Sequence, residues 1–428
     1  MKWLHLSDIH YNPRNDGRST HQLRTKLPRY IAENHIEADY LFITGDFRNA
    51  KYQNSDDYAV ASEAVRFILE IADAAKIPYI NIHIVPGNHD LTRTEDINRL
   101  RRIEENYNAN DGRFQDDDSD LFFLLERFHF YRQVVHIMEK YGVPTHQASG
   151  LYQLHGVHYA PEFSLLYLNT CLICNSDNDR GNLIIGNFDI YQCLEKIEQE
   201  HPDRPIIVLA HHGIENFRPD ERNAVERLFK EYPIKLYLCG DAHKPWRRTI
   251  NGILELTMGG LIQGNNVRTV FSVGEQKNEK YLIKAYEWDA DTSRWGEYTQ
   301  LNEELREELG NNFLDIGATR VLRETPKTDL ASYPVSDFSH KRLRDEFKAV
   351  RRHDGACISS RAILLAEKLW NEYQDEIGGI YLLDLARIQN NQKTIEEIYF
   401  ALSISTDTQV RTLAKRWNEK WRCVNEHF

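Results

Sequence analysis

Residues 1–13, MKWLHLSDIHYNP, and residues 234–246, IKLYLCGDAHKPW, each run a short apolar stretch up to an Asp-x-His. A mostly apolar run of this length reads as a strand buried on both faces, as in a sheet covered by helices. The same pattern recurs at 40–46 (YLFITGD), 78–90 (PYINIHIVPGNHD), 163–171 (FSLLYLNTC) and 204–212 (RPIIVLAHH). Helical text separates these runs, for instance YAVASEAVRFILEIADAAK at 58–76 and the segment around Ile190–Glu200. Alternating strand and helix make an α/β domain.

After Asp241 the texture turns to β: ILELTMGG (253–260), RTVFSV (268–273), EKYLIKAYEWD (279–289) and RWGEYTQ (294–300), the last two joined by the hairpin-like ADTS. This late β text predicts a second sheet. Residues 91–150 read instead as a helical insertion beside the strand ends, with the acidic QDDDSD (115–120) as a solvated helix entrance. Three domains of text follow: 1–300 carrying the strands, 301–338 as a linker that opens on the helical NEELREELG (302–310), and 339–428 as a small all-helical accessory domain. In the last, KRLRDEFKAVRR (341–352) reads as a solvated cationic face, and SSRAILLAEKLWNEYQDEIGG (359–379) as a helix with a Ser start and a Gly-Gly stop.

The chain has 428 residues and a formal charge of −12. Residues 331–428 hold 15 Lys and Arg against 14 Asp and Glu, so the negative charge lies in the strand-bearing part. That balance argues against a protein that coats duplex nucleic acid. No apolar run approaches the roughly 18–20 residues of a membrane span, and the six cysteines suit a reducing compartment, so a cytoplasmic protein is expected. Cys171 and Cys174 form a C-x-x-C that, without a second pair or His at zinc-site spacing, reads as two buried thiols.

An open α/β sheet places its ligands at the carboxy ends of its strands. There this sequence puts Asp8 and His10, then Asp46, then Asn88, His89 and Asp90, then His211 and His212, then Asp241 and His243. Carboxylate, imidazole and amide oxygen together suit Mn²⁺, Fe²⁺, Zn²⁺ or Mg²⁺. The donors are too many for one tetrahedral ion. A pair of ions bridged by a carboxylate would use them, an arrangement suited to phosphoryl chemistry.

In SDIH, GD (Gly45–Asp46), GNHD (Gly87–Asp90), AHH (Ala210–His212) and GDAH (Gly240–His243), all in order, the sequence resembles the calcineurin-like metallophosphoesterases over residues 1–300. The resemblance implies a β-sandwich flanked by helices, in αββα layers. It implies that Asp8, His10 and His243 hold one ion, that Asp46 bridges, and that Asn88 and His211 hold the second. His89 would then be the general acid, oriented by Asp90. The family has a His at the position of Asp241, so this chain places a carboxylate where a second-ion ligand is expected, which favours Mn²⁺ or Mg²⁺ over softer ions. Arg48, Arg93, His212 and Trp246, with Arg247 beside it, are candidates for substrate contact.

The expected function is a phosphoesterase with two divalent ions, Mn²⁺ foremost and Mg²⁺, Fe²⁺, Zn²⁺ or Ni²⁺ as alternatives. It would act as a phosphodiesterase on nucleotides or short single strands. The alternatives are a phosphomonoesterase and a scaffold with impaired chemistry that binds a protein. The helical tail would serve as an adaptor for a protein partner or as a lid.

Overall fold

A computed structural model describes residues 1–11, 17–49, 57–109, 111–114, 118–143, 154–176, 179–202, 204–262, 264, 267–277, 280–309 and 313–315, and shorter stretches between 344 and 415. The chain divides into two compact units, Met1–Arg323 and Glu324–Phe428.

The first unit opens β1 (Lys2–Leu6), α1 (Arg18–Glu33), β2 (Tyr40–Ile43), α2 (Asp57–Ala74) and β3 (Ile82–Ile84). Three helices then interrupt the strands: α3 (Ile97–Asn106), α4 (Asp118–Glu126) and α5 (His129–Lys140). The alternation resumes with β4 (Gly156–Tyr159), β5 (Ser164–Tyr167), α6 (Asn187–Glu200), β6 (Ile206–Leu209), α7 (Pro219–Phe229) and β7 (Ile234–Cys239). The closing β-rich part comprises β8 (Trp246–Ile250), β9 (Ile253–Thr257), β10 (Val270–Lys277), β11 (Lys280–Asp289), β12 (Arg294–Glu297), α8 (Thr299–Leu309) and β13 (Phe313–Asp315).

Among the described residues these strands form two sheets, ordered β12-β11-β10-β1-β2-β3, with β13 also on β11, and β4-β5-β6-β7-β9-β8. The late β text therefore does not build a sheet of its own. Strands β8 and β9 extend the sheet of β4–β7, whereas β10 returns antiparallel to β1, Trp3 opposite Gly274. The reason is packing: a Cβ on Gly274 would lie 1.9 Å from the Trp3 ring, so only glycine admits that indole on this face of the sheet.

The period-two alternation of strands sorts their side chains between two cores. Trp3, Phe42, Leu165, Tyr167, Leu209, Leu236, Leu238 and Leu256 fill the space between the sheets. Their neighbours Leu4, Leu41, Ile43, Leu166, Val208 and Tyr237 turn outward into a core shared with Leu27 of α1 and Ile68 of α2. Both faces are thus buried, and the layers are helix, sheet, sheet, helix, as expected of the αββα architecture.

The helical text at the start of 301–338 is helix α8, with Leu301 and Leu305 buried in the core between the sheets. Of the rest, only 313–315 is described. In the second unit, α9 (Glu376–Ile388) and α10 (Gln392–Ser403) pack around Trp370, Leu383, Ile398 and Leu402. The Gly378-Gly379 pair lies inside α9 rather than stopping a helix. A Cβ on Gly378 would stand 2.8 Å from the Ala366 carbonyl oxygen, and one on Gly379 2.7 Å from the Trp370 ring. The glycines let two helical segments approach, and Asp375 caps α9 by accepting from the Ile377 amide at 3.0 Å. The cationic run 341–352 lies mostly outside the described residues, as do 115–117 of the acidic run. No helix among the described residues is long and apolar enough to cross a membrane.

Candidate metal centre

Five strand ends, three from one sheet and two from the other, deliver the candidate ligands to a common rim. Their loops are knitted by the main chain: Asp8 N donates to Gly45 O (3.1 Å), His10 N to Asp46 O (2.8 Å), Leu261 N to Asp8 O (2.9 Å) and Gly240 N to His211 O (2.9 Å). Nine described non-glycine residues have positive φ, and five of them are Asp8, His10, Asp46, Asp241 and His243. Left-handed backbone is costly for such residues and persists where the surroundings over-determine it, which is characteristic of functional sites. Gly87 makes the close approach possible, since a Cβ there would lie 2.1 Å from Asp46 Oδ1.

Asp8, His10, Asp46 and His243 converge so that one ligand atom from each lies within 4.8 Å of the others. His10 Nε2 and His243 Nε2 stand 2.8 Å apart, and His243 Nε2 is 3.1 Å from Asp8 Oδ1. Asp46 faces two ways, with Oδ2 3.5 Å from His10 Nε2 and Oδ1 3.5 Å from His211 Nε2. His211 Nδ1 is 2.7 Å from the Thr44 carbonyl oxygen, which places a proton on Nδ1 and leaves Nε2, beside Asp46, as the atom that could bind a cation. A second group, His211, His212 and Asp241, also lies within 4.8 Å, with His212 Nε2 3.9 Å from Asp241 Oδ1.

These residues fit divalent cations on their own chemistry. Asn88 Oδ1 and His211 Nε2 are enclosed without a hydrogen-bond partner, a cost of about 1–3 kcal/mol each that coordination would remove. Burial would raise Asp8, yet hydrogen bonds with His10 and His243 hold its carboxyl well below the usual range. Burial opposes charge on His211 too, but the Asp46 carboxylate lifts it well above its ordinary value. The arrangement leans on buried charge pairs that a cation would replace.

The family profile of the calcineurin-like phosphoesterases matches residues 1–245, more than half of the chain. The chain belongs to the calcineurin-like phosphoesterase family. It is 25% identical over 325 residues to an uncharacterized metallophosphoesterase-like protein, YydB, of Bacillus subtilis strain 168. That match covers 72% of this chain and 63% of the relative, so the chain spans a little under two thirds of the relative's length. It is similar to the crystal structure of a dimetal phosphatase from Danio rerio, at 12% identity and a TM-score of 0.40 over 66% of this chain and 95% of that one. It is also similar to that of the protein TT1561 from Thermus thermophilus, at 11% identity and a TM-score of 0.35 over 69% and 97%.

Within this chain, two expected roles change. Arg48 is no substrate clamp: it is buried, its Nε donates to the His89 carbonyl (2.9 Å), one terminal nitrogen pairs with Asp57 (2.8 Å) and the other reaches the Leu91 carbonyl (3.4 Å), while the guanidinium lies 4.3 Å from the Phe130 ring centre. Every nitrogen of the fork is spent, two on the GNHD loop and the residue after it and one on Asp57. Asp90 also acts on main chain. Its oxygens accept from the amides of Gly87, Asp46 and Phe47 at 2.8 Å and of Arg48 at 3.4 Å, so it clamps the GD turn to the GN turn, and these amides account for its placement.

His89 stands edge-on to His10, ring centres 4.7 Å apart, and its amide donates to Asp46 Oδ1 at 2.8 Å. Burial pulls its imidazole down to about 4, with Asp46 opposing. Arg93 is half-buried in the loop beyond. Trp246 and Arg247 belong to edge strand β8, where the Arg248 guanidinium lies 5.2 Å from the Trp246 ring centre. Arg180 was not singled out by any motif, yet it is 59% exposed at the rim and pairs with Asp241 at 3.0 Å. Only a 61-residue separation in sequence closed by the fold could reveal it.

Proposed function

We propose that this chain is a divalent-metal-dependent phosphodiesterase acting on nucleotides or short single strands, with Mn²⁺ as its preferred ion. The observation that carries the reading is Asp46, whose two carboxylate oxygens face imidazoles on opposite sides. Asp8, His10, Asp46 and His243 would hold one ion, and Asp46, Asn88, His211 and Asp241 the other. Bound there, two such ions supply Lewis-acid charge to phosphoryl oxygens and make a water nucleophilic near neutral pH. The protein's own part is to fix the ligands through Thr44 and the Asp90 clamp, and to offer His89 as proton donor to the leaving oxygen. Burial keeps the His89 ring neutral until an anionic substrate offsets that cost.

A diester suits the rim better than a monoester. Arg48 is consumed within the fold and Arg180 is already paired with Asp241, so a dianionic monoester gains little there, whereas a singly charged diester asks for less. The acidity of the strand-bearing part favours small substrates over long duplexes. The test is hydrolysis of bis-p-nitrophenyl phosphate and p-nitrophenyl phosphate by metal-stripped protein refilled with Mn²⁺, Mg²⁺, Zn²⁺ or Ni²⁺, beside His89→Ala. Mn²⁺-dependent cleavage of the diester that collapses in the variant is expected. Faster turnover of the monoester would sink the diester reading.

A further inference from the structure

The C-x-x-C is not used by the phosphoester site, yet the fold gives it a third partner. Cys171 and Cys174 lie in the loop after β5, both thiols buried, in a turn closed by Cys174 N donating to Cys171 O at 3.1 Å. His212, at the end of neighbouring β6, brings its Nδ1 to 3.8 Å from Cys171 Sγ. One ligand atom from each of the three residues lies within 4.8 Å of the others. The pattern lacked a His at zinc spacing because that His comes from the next strand of the sheet, 38 residues after Cys174 in sequence.

The turn is held from outside. Arg127, buried between α4 and α5, donates to the carbonyls of Thr92 (3.2 Å), Leu172 (3.2 Å) and Cys174, and to Asn175 Oδ1 (3.3 Å). Asn169 Oδ1 accepts the Cys171 amide at 3.1 Å. Both cysteines are therefore placed by hydrogen bonds to their main chain, and their sulfurs converge with the imidazole. Thr170 Oγ1 lies 2.9 Å from His212 Nδ1, the nearest competing partner for that nitrogen.

We propose that Cys171 Sγ, Cys174 Sγ and His212 Nδ1 form a third metal site, distinct from the phosphoester centre and selective for Zn²⁺. Thiolates prefer Zn²⁺ to Mg²⁺ or Mn²⁺, and the phosphoester ligands contain no sulfur, so the two sites sort ions by donor softness. Binding forms two Zn–S bonds and one Zn–N bond and releases the two thiol protons to solvent. It would also fix the His212 ring, because Nδ1 is spent on zinc while Nε2 remains on the side of Asp241. The site stands whether or not the chain hydrolyses diesters.

Cobalt(II) titration of the metal-stripped full chain tests this, since cobalt bound to thiolate has a near-ultraviolet charge-transfer band that oxygen and imidazole ligands do not produce. The band is expected in the native protein, to persist with saturating Mn²⁺, to be displaced by Zn²⁺, and to be lost in Cys174→Ser but kept in Cys193→Ser. Metal analysis should find one equivalent of zinc fewer in Cys174→Ser. Absence of the band from native protein overturns the proposal without recourse to any variant. So does a band that survives Cys174→Ser, or a Cys171–Cys174 disulfide in the protein isolated under reducing conditions.

Discussion

The two halves of the metal centre are built differently. Around Asp8, His10 and His243 the ligand atoms already touch, two imidazole nitrogens lying 2.8 Å apart beside a carboxylate. Around His211 and Asp241 the neighbouring groups have other partners: Asp241 leans on Arg180 at 3.0 Å, and His212 turns its other nitrogen to Thr170 and Cys171. The first half is preorganised by crowding, the second by partners that a cation must compete with. Asp241 contributes to that difference, because its carboxylate at the rim is paired with an arginine.

The largest effect should come from the residue common to both halves. Asp46→Asn should lower diester hydrolysis by roughly 10³-fold, as for loss of a preorganised electrostatic group, and should reduce metal binding at both positions. Loss of one ion only, read by calorimetric stoichiometry, would break the bridging assignment.

A second effect falls on stability and depends on pH. His155 is buried beneath the loop that backs His212, accepting the Asn169 amide at Nδ1 (3.2 Å) and lying with Nε2 2.7 Å from the Ile185 carbonyl oxygen. Burial lowers it from 6.5 to about 4, against those backbone hydrogen bonds. A base depressed in the folded state keeps its full contribution above 6.5 and loses it as pH falls toward 4, on the order of 3 kcal/mol. Denaturant titrations at pH 7 and 4 should show that loss in native protein and less of it in His155→Gln. Equal losses would place the acid sensitivity elsewhere.

Asp241→His should tighten Zn²⁺ at the second position by roughly 10–100-fold, measured by competition with a fluorescent chelator. Unchanged affinity would mean that Asp241 contributes nothing to that half. Smallest is Arg180→Ala, which removes a partly exposed ion pair worth about 0.2–1 kcal/mol and should tighten the second ion by up to about fivefold. Weaker binding in that variant would show that Arg180 supports the site instead of competing for it.

What local chemistry dictates was legible before any fold. Apolar runs of four to six residues became β1, β2, β5, β6 and β7, and the donors at their ends came together because strands of one sheet finish at one rim. The edge strand β8 and the short β4 escaped detection, since their half-buried residues break the apolar run. The pairing of β10 with β1 brings Trp3 over Gly274, a contact between residues 271 positions apart that spacing along the chain does not reveal. Arg48 and Asp90 carry the right chemistry for a site, but only the fold consumes them, filling every polar atom with main-chain partners or Asp57. Arg180 beside Asp241, and His212 beside two thiols, are likewise invisible to spacing along the chain. Sequence by itself determined which chemical groups each strand end presents, because that depends on residues a few positions apart. Tertiary structure alone decided which of them face one another, because that depends on how distant segments share a buried volume.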